Sequence, residues 1–429
     1  MLSIRRVGLI LAKVGYKVFM GIFNFKKAWI YGYQRIIRRE APHTWMSWRF
    51  FVPVGDEART IAFKLHRRVF FSAWRELPRF LYIVLVLYAG IRWYLWSGPR
   101  AYRRHFRLRF GKAPLADEAS ADTPTVENNS LYRRAAFRAY LRGILPRSFY
   151  QFKLYSVPAD SWWQFVPNEL LPHWHQTWQG RVSPRLGLIM ANKRVFSEFM
   201  RERNIRSVAS EAIKIDNFEW ERLLGEHQPS YFLKPEISSQ AKGCLLVERD
   251  AEGELLMRSK DGSLVLSGAV AIRTFLQEAC SRQRYLLQPR LLNHDVFLPF
   301  TVEHDLVVFR VVTLRLDAEQ VLVWRANIEI PLERRVESNI QRVDVKSGIV
   351  SALDDLCVPY WQEVRELVCA AHVQVAELLS VGWDVAITPD GPILIEGNIN
   401  WGTTPMQYSS EHGPLIDELY IRSLNNNRK

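Results

Sequence analysis

Twenty-six residues near the C-terminus, Gly382–Gln407 (GWDVAITPDGPILIEGNINWGTTPMQ), limit what this chain can fold into more than any other stretch. Thr388-Pro389-Asp390-Gly391-Pro392 is a turn signal between two apolar runs, 383–388 and 392–397, so the segment reads as a β-hairpin. Strand alternation puts Val385, Ile387, Ile393 and Ile395 on one uniformly apolar face, which has to cover a core. The other face carries Asp384, Ala386, Leu394, Glu396 and Asn398. With the turn centred on Asp390, Asp384 and Glu396 stand directly opposite each other, their Cβ atoms about 5 Å apart. Two carboxylates so placed repel unless a cation or a shared proton offsets the repulsion. Asn398 adds a neutral oxygen on the same side. Three converging oxygens suit a Mg²⁺ ion that also holds substrate phosphates. On these residues alone, a solvent-exposed hairpin whose acids meet no metal stays open.

Charge divides the chain in two. Met1–Tyr150 carries 28 Lys and Arg against 8 Asp and Glu, and the remainder 30 against 36, so the net +14 belongs to the N-terminal part. Residues 1–112 read as several helices rich in Arg and aromatics, including an opening helix over Val7–Ile37. Phe80–Gly98 holds one charge, Arg92, in 19 positions, barely the length a bilayer span needs. Basic residues flank it on both sides, which removes the asymmetry that would orient a span. An interfacial segment, a true span and a buried helix are all compatible with it. Binding of the basic region to nucleic acid is a further reading, but the apolar run Phe80–Ile91 favours lipid, so no nucleic-acid partner is expected. The four cysteines form no C-x-x-C pair, which argues against a zinc site or disulfide framework and fits a reducing cytosol. No secretory signal is read at the N-terminus, because Lys13 and Lys17 interrupt its short apolar stretch.

Residues 113–130, rich in Pro, small and acidic residues, read as a linker. From Leu131 the pattern is α+β, with helices over Arg194–Arg203 and Val358–Leu379 and strands over Ser230–Lys234, Tyr285–Gln288 and Leu306–Leu316. Alternation on the last of these places Arg310 in a row with Leu306, Val308, Val312 and Leu314. A guanidinium in an apolar row needs a carboxylate or a phosphate, because burying a bare charge is very unfavourable.

The D…E-x-N arrangement over a hairpin resembles the C-terminal metal site of ATP-grasp enzymes, and GWDVAITPDGPILIEGN is similar to the sugar-transfer-associated branch of that superfamily. The resemblance implies an α+β ATP-grasp fold over 131–429, two α+β lobes clasping ATP, preceded by the basic, mostly helical region and the linker. It implies Asp384, Glu396 and Asn398 as Mg²⁺ ligands. Asn192-Lys193 at the start of a helix resembles the opening of the N-terminal lobe, with Lys193 reaching the phosphates. The strand ending in Lys234-Pro235 and the small polar loop Ser238–Gly243 resemble the nucleotide-binding lysine and the phosphate lid. That implies nucleotide contacts from Lys234, Ser239, Lys242 and Gly243. Tyr285–Leu291 resembles the interlobe hinge, where Gln288, Pro289, Arg290 and Leu291 would meet adenine or ribose. FRVVT is similar to the strand whose arginine contacts the transferred phosphoryl group, which gives Arg310, with Lys234, a catalytic role. One departure is that Asp344–Gly348 keeps only Gly348 where the family has a Gly-Gly pair, which bears on the acceptor side of the cleft.

The implied activity is ATP-dependent ligation of a carboxylate to an amine through an acyl phosphate, in surface polysaccharide or glycan assembly. The implied cofactors are ATP and Mg²⁺. The substrates would be a small-molecule or glycan acid and amine, with residues 1–112 on anionic lipid at the cytoplasmic face of the inner membrane, or the whole chain cytoplasmic. A phosphotransferase of the same fold and a membrane-tethered, non-catalytic scaffold are the alternatives.

Overall fold

The computed structural model describes residues 59–73, 87, 91, 144, 146–171, 173–180, 182–212, 230–236, 243–250, 252–259, 263–282, 284–301, 305–331, 338–408 and 413–427. The expected opening helix at 7–37, the linker at 113–130, all of Phe80–Gly98 but Leu87 and Ile91, and Ser238–Lys242 of the polar loop lie outside the described residues. Among those described, no helix is long and apolar enough to cross a membrane. The chain divides into two units, Met1–Thr177 with Pro414–Ile416, and Trp178–Gly413 with Asp417–Lys429.

In the first unit, helix α1 (Ile61–Ala73) buries Phe63, His66 and Phe70, three residues recurring at the spacing of one helical face. Phe63 meets Trp163 edge-on at 5.2 Å between ring centroids, and the His66 ring lies 5.0 Å from that of Trp174. Burial drives His66 down to about 3, so this imidazole is a neutral core ring. The Trp162 indole donates to the carbonyls of Leu154 and Val157, 3.0 Å each, which lets a large ring be buried without an unsatisfied N–H.

The second unit is built on two antiparallel sheets. The first runs in the order β1-β6-β2-β3-β4-β5. Its strands are β1 (Glu211–Ala212), β2 (Ser230–Pro235), β3 (Leu245–Arg249), β4 (Leu255–Ser259), β5 (Val265–Ser267) and β6 (Tyr285–Pro289). Alternation sends Leu233, Val247, Met257 and Leu287 to one face, where Ile272 and Leu276 of the connecting helix (Ala269–Arg282) cover them. The opposite face carries Phe232, Leu246 and Leu286 together with Lys234, Arg258 and Gln288.

The second sheet runs β13-β12-β7-β8-β9. Its strands are β7 (Val308–Arg315), β8 (Val321–Pro331), β9 (Ser338–Arg342), β12 (Ser380–Thr388) and β13 (Gly391–Asn398). The small hairpin β10 (Ile349–Val350) and β11 (Leu356–Cys357) precedes α3 (Trp361–Val373). Val364, Val368 and Ala371 of α3, and Phe196 and Met200 of α2 (Lys193–Arg201), share one core with Val311, Ile328, Val385 and Leu394. Burial of each such aliphatic side chain contributes about 1.5–3 kcal/mol. The sheet therefore cannot turn over to expose its other face to this layer.

The helix expected over Val358–Leu379 is shorter, starting at Trp361 and ending at Val373. The chain must reverse to enter β12, and the buried Gln179 side chain holds it there. Its Oε1 accepts from Leu379 and Ser380 backbone N–H (2.8 and 3.2 Å), and its Nε2 donates to the Ser380 carbonyl at 2.8 Å. A side chain some two hundred positions upstream thus pins the entry to β12, and no local pattern announces it.

The hairpin corrects the expected faces. Thr388 pairs with Gly391, so the loop is Pro389–Asp390 and the turn centres half a residue earlier than on Asp390. An unbroken ladder would then set Asp384 against Ile395. Instead the register shifts between Asp384 and Val385: Val385 pairs with Leu394, Asp384 with Glu396, and Ile395 is the extra residue of a β-bulge. The bulge restores the carboxylate opposition and swaps the neighbouring faces. Leu394, not Ile393 or Ile395, joins Val385 in the core, and Ile395 lines a cleft.

Candidate active site

One cross-strand row runs the width of the second sheet, with Cα partners Glu396–Asp384–Arg310–Asn327–Arg342 on β13, β12, β7, β8 and β9. Because the flanking rows hold Val385, Phe309 and Ile328 on the core face, this row points away from the core. Asp384 and Arg310 form an ion pair joined by one hydrogen bond. Nη2 donates to Oδ2 at 3.1 Å, and Nε lies against Oδ1. Burial pushes Asp384 up to about 7 despite that arginine, and the nearby Glu396 and Glu329 add to the rise. Burial alone would lower Arg310, but Asp384, Glu329 and Glu396 together carry it above its ordinary value. Asn398 donates a long hydrogen bond, 3.4 Å, from Nδ2 to Glu396 Oε1.

Three members of the row, Glu396, Asp384 and Arg310, line one wall of a cleft of about 820 Å³, within the range of sites for small molecules and cofactors. From the first sheet and its flanks come Lys193, Lys234, Gln288, Pro289, Arg290 and Leu291. From the second come Arg310, Glu329, Asp384, Ile395, Glu396 and Asn398. Of the residues expected at the site, these ten are brought together: Lys193, Lys234, Gln288, Pro289, Arg290, Leu291, Arg310, Asp384, Glu396 and Asn398. Gly243, in a left-handed turn with φ +74°, is not part of the cleft wall, and Ser239 and Lys242 are outside the described residues.

Lys234 is 5% exposed, and its ammonium makes no hydrogen bond or ion pair among the described residues. Burial lowers its pKa, Lys193 adds to the fall, and Glu396 and Asp384 oppose it. A buried ammonium with no partner is costly, and an anion in the cleft removes that cost. Asn192 caps α2, its Oδ1 accepting from Arg194 and Val195 N–H (3.0 and 3.1 Å), which sets the neighbouring Lys193 at the helix start as expected. Its Nδ2 also donates to Glu236 at 2.9 Å, tying α2 to the residue just beyond Lys234-Pro235.

Gln288, expected on adenine or ribose, donates through Nε2 to Ser210 Oγ at 2.5 Å and is buried. Arg290 pairs with Glu248 at 2.9 Å, and Arg258 pairs with the other oxygen of the same carboxylate. Two arginines sharing one acid leave a net positive wall on this side. Behind β12, a buried wire runs from the Trp383 indole to Thr313 Oγ1 (2.7 Å), from Thr313 to His372 Nδ1 (2.7 Å), and from His372 Nε2 to the Leu378 carbonyl (3.0 Å). Burial lowers His372 to about 4, so the ring is neutral and the wire fixes its tautomer.

The carboxylates and amide near the row are all hard oxygen donors, and Glu396 and Glu329 add to the burial that raises Asp384 against the pull of Arg310. A hard divalent cation fits Asp384, Glu396 and Asn398 on that chemistry. Among the described residues no three His, Cys, Asp or Glu side chains converge as a metal cluster, so the set would depend on the amide. The residue missed from sequence is Glu329. Its only signal was alternation with Asn327 and Arg325 on β8, opposite Ala326, Ile328 and Ile330 of the core.

Residues 350–417 match the family model described as sugar-transfer associated ATP-grasp, which bears out the resemblance carried by the hairpin. No curated protein matches the chain. Among solved structures the chain is similar to D-alanyl-alanine synthetase A from Vibrio cholerae, with 12% identity, a TM-score of 0.38, and coverage of 57% of this chain and 67% of that one. It is also similar to N5-carboxyaminoimidazole ribonucleotide synthetase from Thermotoga maritima (13%, 0.34, 59% and 55%). A third is the D-alanine-D-alanine ligase from Coxiella burnetii (11%, 0.37, 60% and 63%). The chain thus spans between 55% and 67% of these proteins' own lengths. At such scores, the roles of residues rest on this chain's own geometry.

Proposed function

We propose that the chain is an ATP-dependent carboxylate–amine ligase acting in surface glycan assembly, with ATP and Mg²⁺ bound in the cleft between its two sheets. The observation that carries this reading is Lys234, a buried cation without a partner among the described residues, sharing a cleft with the Glu396–Asp384–Arg310 row. A site with an unmatched cation on one wall and excess carboxylate on the other suits a polyphosphate bound together with a divalent ion.

In this reading a substrate carboxylate attacks the γ-phosphorus to give an acyl phosphate, and an amine then displaces phosphate. Lys193 and Lys234 hold the phosphates and offset their charge. Asp384, Glu396 and Asn398 hold Mg²⁺, which when bound supplies charge neutralisation on the phosphoryl oxygens. Arg310 steadies Asp384 and lends a second cation to the transferred group. Gln288, Pro289, Arg290 and Leu291 line the nucleotide end. Most of the rate comes from positioning and fixed charge. The basic aromatic region 1–112 docks on anionic lipid, where a lipid-linked glycan would be presented.

The test is acid-dependent ATP consumption by the full chain. Asp384→Asn and Glu396→Gln should each lower it by about 10²–10³-fold, the range for losing a preorganised charge-stabilising group. Unchanged turnover in both would remove the metal assignment.

A further inference from the structure

Glu329 lines the cleft on β8, and its carboxylate makes no hydrogen bond or ion pair among the described residues. It lies on the site face of the second sheet, with Val308 as its cross-strand partner, one site-face row along from Arg310–Asn327. Its charge reaches both Arg310 and Asp384. In strand order the wall reads Glu396, Asp384, Arg310, Glu329, so this carboxylate flanks Arg310 on the side away from the expected metal ligands. The other charged side chains on that face of β8 and β9 are Arg325, held by Asp417 at 3.0 Å, and Arg342, 3.8 Å from Asp344. Glu329 is therefore the carboxylate of this wall left for something that enters the cleft.

Resting on the ligase reading, we propose that Glu329 receives the acceptor amine: it binds the incoming primary ammonium and takes the proton that amide formation releases. A primary amine arrives protonated and has no lone pair until one proton leaves. The nitrogen lone pair then attacks the acyl carbon, the bond from that carbon to the bridging oxygen of the acyl phosphate breaks, and inorganic phosphate departs with the electron pair. The nitrogen sheds a second proton to become a neutral amide. Glu329 accepts these protons in turn and passes them to water. Arg310, already held by Asp384, stays with the phosphoryl side. The substrate class on this side of the cleft is thus a cationic primary amine, an amino sugar or an amino acid.

The experiment uses the full chain with ATP, Mg²⁺ and a pool of sugar acids. Each reaction is offered either hydroxylamine, a weak base that is nucleophilic without an enzymic proton acceptor, or a pool of amino sugars and amino acids. The readout is the ratio of amide to hydroxamate. With Glu329→Gln that ratio should fall by about 10²-fold, the lower end for a general base. It should recover as pH rises and free amine becomes abundant. Glu329→Asp should restore part of it at neutral pH. An unchanged ratio in Glu329→Gln overturns the assignment, as does a loss of both products in equal measure. Absence of hydroxamate from the wild type with every acid would instead remove the ligase reading, and this inference with it.

Discussion

Arg310 and Asp384 face each other on adjacent strands as a side-on ion pair, Nη2 donating to Oδ2 at 3.1 Å with Nε against Oδ1. Removing the arginine leaves a buried carboxylate beside Glu396 and Glu329 without its ion-pair partner. Arg310→Ala should cost about 3–5 kcal/mol of folding stability, the usual result of breaking a buried pair from one side. Denaturant titration of the variant against wild type reads this directly. A loss under about 1 kcal/mol, the level of a surface pair, would mean the pair is solvated.

Lys234 should behave in the opposite way. Because the buried ammonium has no partner among the described residues, Lys234→Met should leave the melting temperature unchanged or raise it. The same change removes a charged donor to phosphate, worth about 1.5–3 kcal/mol. ATP affinity by calorimetry should then fall roughly 10–100-fold. Stability gained while binding is lost marks a functional lysine, and a structural one would lose stability.

His372 sets a pH dependence whose sign follows from its burial. Its folded pKa is about 4 against an ordinary 6.5, so between those values the unfolded chain binds more protons than the folded one. The stability contribution is complete above pH 6.5 and is lost as pH falls through that value toward 4. Its size is about 3 kcal/mol, since each pH step between the two values is worth about 1.4 kcal/mol. The stability difference between wild type and His372→Gln, followed from pH 7.5 to 4.5, should change by roughly this amount across that window. A flat difference would contradict the buried Thr313–His372–Leu378 wire.

Gly382 tests the packing that aims Asp384. A Cβ there would fall 2.5 Å from Trp401 Cβ and 2.9 Å from its Cγ, and Trp401 is fully buried with its indole on Ser380 Oγ at 3.2 Å. Gly382→Ala should destabilise by about 1–3 kcal/mol through overpacking. A thermal melt measures it. Activity should fall more than stability explains, because β12 would shift under the Glu396–Asp384–Arg310 row.

Much of this site was legible in the chain itself. Asp384 and Glu396 could be set opposite each other from alternation and a turn signal, and Arg310 could be marked as needing an anion from its place in an apolar row. Yet the opposition arises by a different route, through a two-residue loop corrected by a bulge at Ile395. A bulge has no local composition to betray it, because its stability comes from packing Leu394 into a distant core. Glu329 stayed hidden because an acid between two isoleucines reads as the wet side of an ordinary strand. Only the pairing of β8 with β7 brings it beside Arg310. The entry to β12 has the same origin, since Gln179 holds Leu379 and Ser380 from some two hundred residues away.

The most direct measurement is the mass of the product formed by the full chain with ATP, Mg²⁺, a pool of sugar acids and a pool of amines. The account requires a product heavier than the acid by the amine minus water, absent without ATP and lost in Asp384→Asn. A product heavier by one phosphate, or the same product from Asp384→Asn at the wild-type rate, would contradict it.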